Sequence, residues 1–252
     1  MTESATTQQQ KQFKILLIGD ICTDVYQYGT IDRLSPEAPI PVFVPTYKEE
    51  REGMAGNVYA NLIALGCKVD IICGSSSRKT RLIDSRSKQQ ILRMDEDVKS
   101  SPVTNIDPAG YDAVVISDYN KGVVSYDTVE QLLCKYKLPV FIDTKKTDLE
   151  RMQGAWVKIN DLEYSKITSE CSGLIVTHGA EGASVIHHDI TCSAPSVEVA
   201  DVTGAGDTFL SALAYNYLHT KDIKRAVDFA ILASSVTVQH FGCYAPTMEE
   251  IL

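Results

Sequence analysis

The run Asp201-Val202-Thr203-Gly204-Ala205-Gly206-Asp207-Thr208 leads directly into the apolar stretch Phe209 to Ala214. Glycines at such a junction let the unpaired backbone N–H groups of a helix start converge on an anion, and the helix dipole favours negative charge there. Gly204, Ala205 and Gly206 are therefore candidates for an anion hole that holds a phosphate. Asp207 falls in the first turn beside those donors, where a carboxylate can take the proton of a hydroxyl that attacks a phosphoryl group. The same position also suits an aspartate that merely caps the helix. The run is not a P-loop, because no Gly-Lys-Ser/Thr ends it.

Several short apolar runs must carry these residues. Ile15 to Ile18 ends in Gly19-Asp20, the pattern of a buried strand that delivers polar groups at its C-terminal end, and Asp24 follows four residues later. Val69 to Cys73, Tyr111 to Ser117, Val140 to Asp143, Trp156 to Ile159 and Leu174 to Thr177 are further strands. Gly53 to Leu65, Tyr126 to Tyr136, Phe209 to Leu218 and Ile223 to His240 carry helical patterns. Strands alternating with helices predict an α/β fold with a mostly parallel sheet and helices on both faces. The proline-bounded segment Ile40 to Thr46 reads as an edge strand or small β lid over about residues 30–46. His187, His188 and Cys192 suit the end of a hairpin better than a metal site, since no second ligand cluster accompanies them.

The chain has 252 residues, 44% of them hydrophobic, enough for one large domain with a substantial core, expected over 13–252 behind a polar tail at 1–12. Its formal charge of -9 offers no long-range attraction to nucleic acid or to an anionic membrane, so neither is an expected partner. Seven cysteines without a CxxC pair indicate free thiols in a reducing compartment, and no apolar run approaches a membrane span; a cytoplasmic location is expected.

The DVTGAGDT block resembles the C-terminal signature of the ribokinase-like carbohydrate kinase superfamily. Other segments are similar to the bacterial D-glycero-β-D-manno-heptose 7-phosphate kinases, including the kinase half of the bifunctional ADP-heptose synthesis enzyme. They are Gly19-Asp20 with Asp24, Arg33 to Val42 (RLSPEAPIPV), Gln89 to Asp95 (QQILRMD), Ser117 to Gly122 (SDYNKG) and Ile142 to Asp148 (IDTKKTD). The resemblance implies a ribokinase-like fold, ATP as phosphoryl donor, Mg²⁺ as bridging ion, and a phosphorylated sugar whose anomeric hydroxyl is the nucleophile. It implies that Asp20, Asp24 and Asn57 contact the sugar. Asp118 and Lys121 would lie on the substrate side, and Lys145 would hold phosphate as a mobile point charge. Asn160 and Glu163 match an Asn-x-x-Glu element that organises Mg²⁺ through water. Thr177, Gly179 and Gly182 would lie beside the nucleotide, in what also reads as a hairpin turn, and Gly242 would close the adenine side. Lys146 is expected at the surface.

The chain departs from that family in places. Met54 stands where the family has glycine, and Ile231 where it commonly has asparagine; Cys243 and Tyr244 beside Gly242 are unusual. Only Ser75 to Lys79 lie between Gly74 and Thr80, too few for the extra α/β crossover seen in the family, and the stretch between Glu163 and Leu174 is also short. A catalytically weak binding protein is therefore the competing expectation, with another sugar or a nucleoside as a second enzymatic option. Apolar residues on both faces of Ile40 to Pro45 predict a homodimer joined through the lid.

Overall fold

The computed structural model describes residues 12–252, so the polar tail expected over 1–12 lies, apart from Gln12, outside the described residues. Its main sheet has eight strands. They are β1 (Lys14–Gly19), β4 (Lys68–Cys73), β7 (Ala113–Asp118), β8 (Val140–Thr144), β9 (Trp156–Asn160), β10 (Leu174–Thr177), β11 (Ala183–Val185) and β12 (Ile190–Cys192). The order is β12-β11-β10-β9-β8-β7-β1-β4. The six strands from β10 to β4 run parallel, and β11 and β12 add an antiparallel edge.

Strands buried on both faces must be apolar along their whole length, and β1 and β7 show it. Ile15, Leu17, Ala113 and Val115 face one core; Leu16, Ile18, Val114 and Ile116 face the other. The first core is roofed by α1 (Ala55–Ala64), α4 (Ala205–Thr220) and α5 (Ile223–Thr237), the second by α2 (Tyr126–Lys135). The short helices α3 (Asp161–Tyr164) and α6 (Met248–Ile251) complete the described elements that matter to the site.

The expected lid proves to be part of a larger second sheet. It consists of β2 (Ile21–Leu34), β3 (Pro41–Met54), β5 (Ser77–Asp84) and β6 (Gln90–Glu96), in the order β3-β2-β5-β6. Residues 74–76 carry the chain directly from β4 into β5, which is why no further α/β unit fits there. Gly53 and Met54 end β3 rather than opening α1. Met54 sits at φ 55, ψ -127, a region that favours glycine and costs other residues about 1–3 kcal/mol. That strain explains why glycine suits the position. Among the described residues, no helix is long and apolar enough to cross a membrane.

Candidate functional site

The site forms where α4 begins. Gly204 takes a left-handed φ of 83, and a Cβ on it would lie 2.7 Å from Asn57 Nδ2. Any other residue would be strained and would displace that side chain. The Thr208 N–H donates to Gly204 O at 3.0 Å and the Ala205 N–H to Val202 O at 3.3 Å. Among the described residues no acceptor meets the N–H groups of Gly206 and Asp207, which are open donors of the first turn.

Asp207 is third in that turn and 5% exposed. Its carboxylate accepts hydrogen bonds from Asn57 Nδ2 at 2.8 Å and from the Tyr119 hydroxyl at 3.1 Å. Burial pushes its pKa up to about 6; Asn57 opposes this, and the nearby Asp143 charge adds to it. Asp207 therefore does more than cap the helix. Ionised, it is a base strengthened by removal from water and held by two donors. Burial likewise drives the Tyr119 hydroxyl well above its ordinary range, so it remains a proton donor. Tyr119 was quoted within a motif but given no role by sequence reasoning.

Asn57 and Asp24 come to the same place as Asp207. Asn57 receives the Asn61 amide at 3.3 Å, which fixes its orientation. Asp24 is buried on β2 with Arg81 at 3.0 Å. Cys22 and Cys243 are both pushed up to about 12, first by burial and then by the carboxylates of Asp24 and Asp207. These thiols are not nucleophiles at neutral pH.

Two expected sugar-side acids are used differently. Asp20 accepts three backbone N–H groups, from Tyr119 at 2.9 Å, Lys121 at 3.0 Å and Val123 at 3.3 Å. Those bonds shape the turn that presents Tyr119 to Asp207 and occupy three of the carboxylate's four acceptor positions. Asp118 is similarly engaged, by Thr144 Oγ1 at 2.7 Å, the Asn120 N–H at 2.9 Å and Lys146 Nζ at 2.6 Å. Lys146 is thus not a surface lysine, because a fully buried carboxylate draws its ammonium inward. Lys121, partly exposed, pairs with Asp97.

On the far side of the α4 start lies a cavity of about 430 Å³. Thr177, Gly179 and Gly182 line it with Ala205, Gly206 and Ile231, so the hairpin turn and the anion hole share one space. The turn links the antiparallel strands β10 and β11, with the His178 N–H donating to Gly182 O at 2.8 Å. Sequence reasoning missed the wall formed by residues 194–202, a stretch that forms neither strand nor helix. Gly242 is not part of the cavity lining. Its N–H donates to Asp201 Oδ2 at 2.9 Å, and its loop is tied to the second sheet by Arg51, which donates to Phe241 O at 3.1 Å and Cys243 O at 3.3 Å.

Asn160 and Glu163 form a capping box on α3: the Glu163 N–H reaches Asn160 Oδ1 and the Asn160 N–H reaches Glu163 Oε2, both at 2.9 Å. That accounts for their spacing. Glu163 also pairs with Lys145, so both expected phosphate-side residues stand together. Each carboxylate oxygen keeps a second lone pair, which suits holding a hydrated cation through water better than direct ligation.

Residues 145–251 match the pfkB family carbohydrate kinase. The bifunctional protein HldE of Nitratiruptor sp. is 34% identical over 300 aligned residues covering 94% of this chain and 64% of that protein. HldE of Haemophilus ducreyi is 30% identical, covering 95% and 63%. The chain thus spans less than two thirds of these relatives, and the 300 aligned positions exceed its own 252 residues, so parts of the relatives have no counterpart here. Arabidopsis thaliana ribokinase, solved with ribose and ATP, superposes with a TM-score of 0.72 at 17% identity, covering 96% of this chain and 98% of that one. Phosphofructokinase-2 of Escherichia coli gives 0.72 at 14% identity, covering 95% and 97%. The matched stretch contains Glu163, the cavity walls and Asp207 alike, and the chain belongs to the pfkB family of carbohydrate kinases, phosphotransferases with the ribokinase-like fold.

Proposed function

We propose that the protein transfers the γ-phosphoryl group of ATP to the anomeric hydroxyl of a sugar phosphate, with D-glycero-β-D-manno-heptose 7-phosphate as acceptor. The observation that carries this reading is the buried Asp207 in the first turn of α4, beside Gly206, whose open backbone donor borders the cavity. Thr177, Gly179 and Gly182 would hold the nucleotide, and Asn57 and Asp24 the sugar. Asp207 takes the proton of the attacking hydroxyl, and the N–H groups around Gly204, Ala205 and Gly206 stabilise charge on the transferred group. Asn160 and Glu163, through water, with Lys145 beside them, are the residues suited to Mg²⁺, which when bound would neutralise charge between the phosphates. The heptose acceptor rests on the likeness of the quoted motifs to heptose 7-phosphate kinases. Retention of Asp207, Asn57, Asn160 and Glu163 in this geometry favours an enzyme over a binding protein.

Steady-state assays across acceptors test this reading. Heptose 7-phosphate should exceed ribose, fructose 6-phosphate and nucleosides in kcat/KM by about tenfold or more, since buried polar groups of the site would be left unpaired by the wrong acceptor. Preference for a nucleoside or free pentose would reject the heptose assignment.

A homodimer joined through the second sheet is part of the same proposal. Among the described residues the outer edge of β3 is unpaired; Val44 on that strand is 51% exposed, and Leu34 and Ile40, at the two ends of the link from β2 to β3, are exposed as well. Such an edge invites pairing with a second copy. Light scattering at micromolar concentration should give a dimer for the wild type and a monomer for Val44→Asp, whose exposed site tolerates the change. A wild-type monomer would exclude the dimer.

A further inference from the structure

A buried ammonium, that of Lys158, stands beside the anion hole. Lys158 is the one charged residue of β9. Val157 and Ile159 face the α2 core, so Lys158 faces the opposite way, toward α4. Its side chain is 5% exposed, and its Nζ donates to Asp143 Oδ2 at 2.8 Å from the paired position on β8. An ammonium has three N–H bonds to donate, and among the described residues Asp143 is the only acceptor it finds. Two donors are left inside a region nearly closed to water.

Their place is given by Gly206. A Cβ on Gly206 would stand 2.7 Å from Lys158 Nζ and 3.7 Å from Asp143 Oδ2. The ammonium therefore abuts the backbone of the first turn of α4, where the N–H groups of Gly206 and Asp207 are open and the cavity begins. A buried ion pair contributes little to stability compared with well-packed apolar side chains, and unsatisfied donors on it add a cost. An anion delivered to the helix start would satisfy the ammonium and the open amides together.

We propose that Lys158 is a catalytic residue that contacts the phosphates of the donor beyond the first, with Asp143 holding its ammonium in place at the rim of the anion hole. Lys145 is likewise paired with Glu163 and Lys121 with Asp97, but it is the Lys158 ammonium that abuts Gly206. The proposal rests on the phosphoryl-transfer reading, yet binding alone can test it.

Calorimetric titration of AMP and ATP, in the presence of Mg²⁺, into wild type, Lys158→Met and the double variant Asp143→Asn/Lys158→Met is the experiment. Losing a charge-assisted contact should weaken ATP by about ten- to a hundredfold and leave AMP within about twofold. The double variant removes the uncompensated carboxylate and so guards against misfolding; it should show the same selective loss. Equal loss for AMP and ATP in the folded double variant, or unchanged ATP affinity, overturns the assignment. If the wild type binds ATP but phosphorylates no acceptor, the sugar-kinase reading fails while the Lys158 contact is still decided by the AMP and ATP ratio.

Discussion

Asp207→Asn is expected to lower kcat with the preferred acceptor by roughly 10²- to 10⁴-fold, the range associated with removing a general base. Asparagine keeps the shape of the side chain and can still meet the Asn57 amide and the Tyr119 hydroxyl after an amide rotation. What it lacks is the ability to accept a proton. The fold should not suffer. The Asp207 pKa is raised from an ordinary 3.8 to about 6, so the folded chain holds that proton more tightly than the unfolded one. Its favourable contribution is complete below the unfolded value and is lost as pH rises through about 6. At pH 7 the wild type therefore carries a buried charge that the variant removes, and the variant should melt at the same temperature or higher. The same pKa predicts that wild-type kcat/KM falls about tenfold per unit as pH drops below 6, a limb the variant loses. A variant with unchanged turnover would remove Asp207 from the mechanism.

Lys146→Met should be the most destabilising single change near the site. The Lys146 ammonium is 2.6 Å from Asp118, with the two side chains 7% and 0% exposed, and it also donates to Val124 O at 2.8 Å. Removing one partner of a buried pair leaves the other charge uncompensated and costs about 3–5 kcal/mol. For a chain of this size that is a fall on the order of 10 °C in the melting midpoint. Adding Asp118→Asn should restore most of it, because the stranded charge is then gone. Calorimetry on the three proteins checks this, and a single variant that melts like the wild type would mean the pair is solvated in solution.

The contrast between these two residues shows what the sequence could and could not disclose. Asp207 was legible because its signal is local: glycines, an acid and an apolar helix within ten positions. The parallel strands β1 and β7 to β10 were legible for a related reason, since burial on both faces leaves an unbroken apolar run. Lys146 and Lys158 were not, because their partners lie 28 and 15 residues away in sequence and an isolated lysine reads as solvated. A lysine inside the apolar run Trp156 to Ile159 was the one available hint of the second. Strands β5 and β6, with sequences SRKTRLID and QILRMDE, escaped notice because β6 is exposed along its whole length and β5 is only half-buried over most of its own, so neither needs an apolar run. Asp20 was assigned to the sugar, although the structure spends its oxygens on the turn that carries Tyr119. From sequence alone, an acid that binds a ligand and an acid that braces a loop look the same.

Following the terminal phosphoryl group of ATP, isotopically labelled, during incubation with the protein, Mg²⁺ and heptose 7-phosphate tests the central claim most directly. The arrangement of Asp207, the open amides of α4 and the adjoining cavity predicts that the label appears on the sugar as a second phosphate ester, at a rate far above its release as inorganic phosphate. Label that stays on the nucleotide, or that leaves only as inorganic phosphate with every sugar phosphate tried, would contradict it.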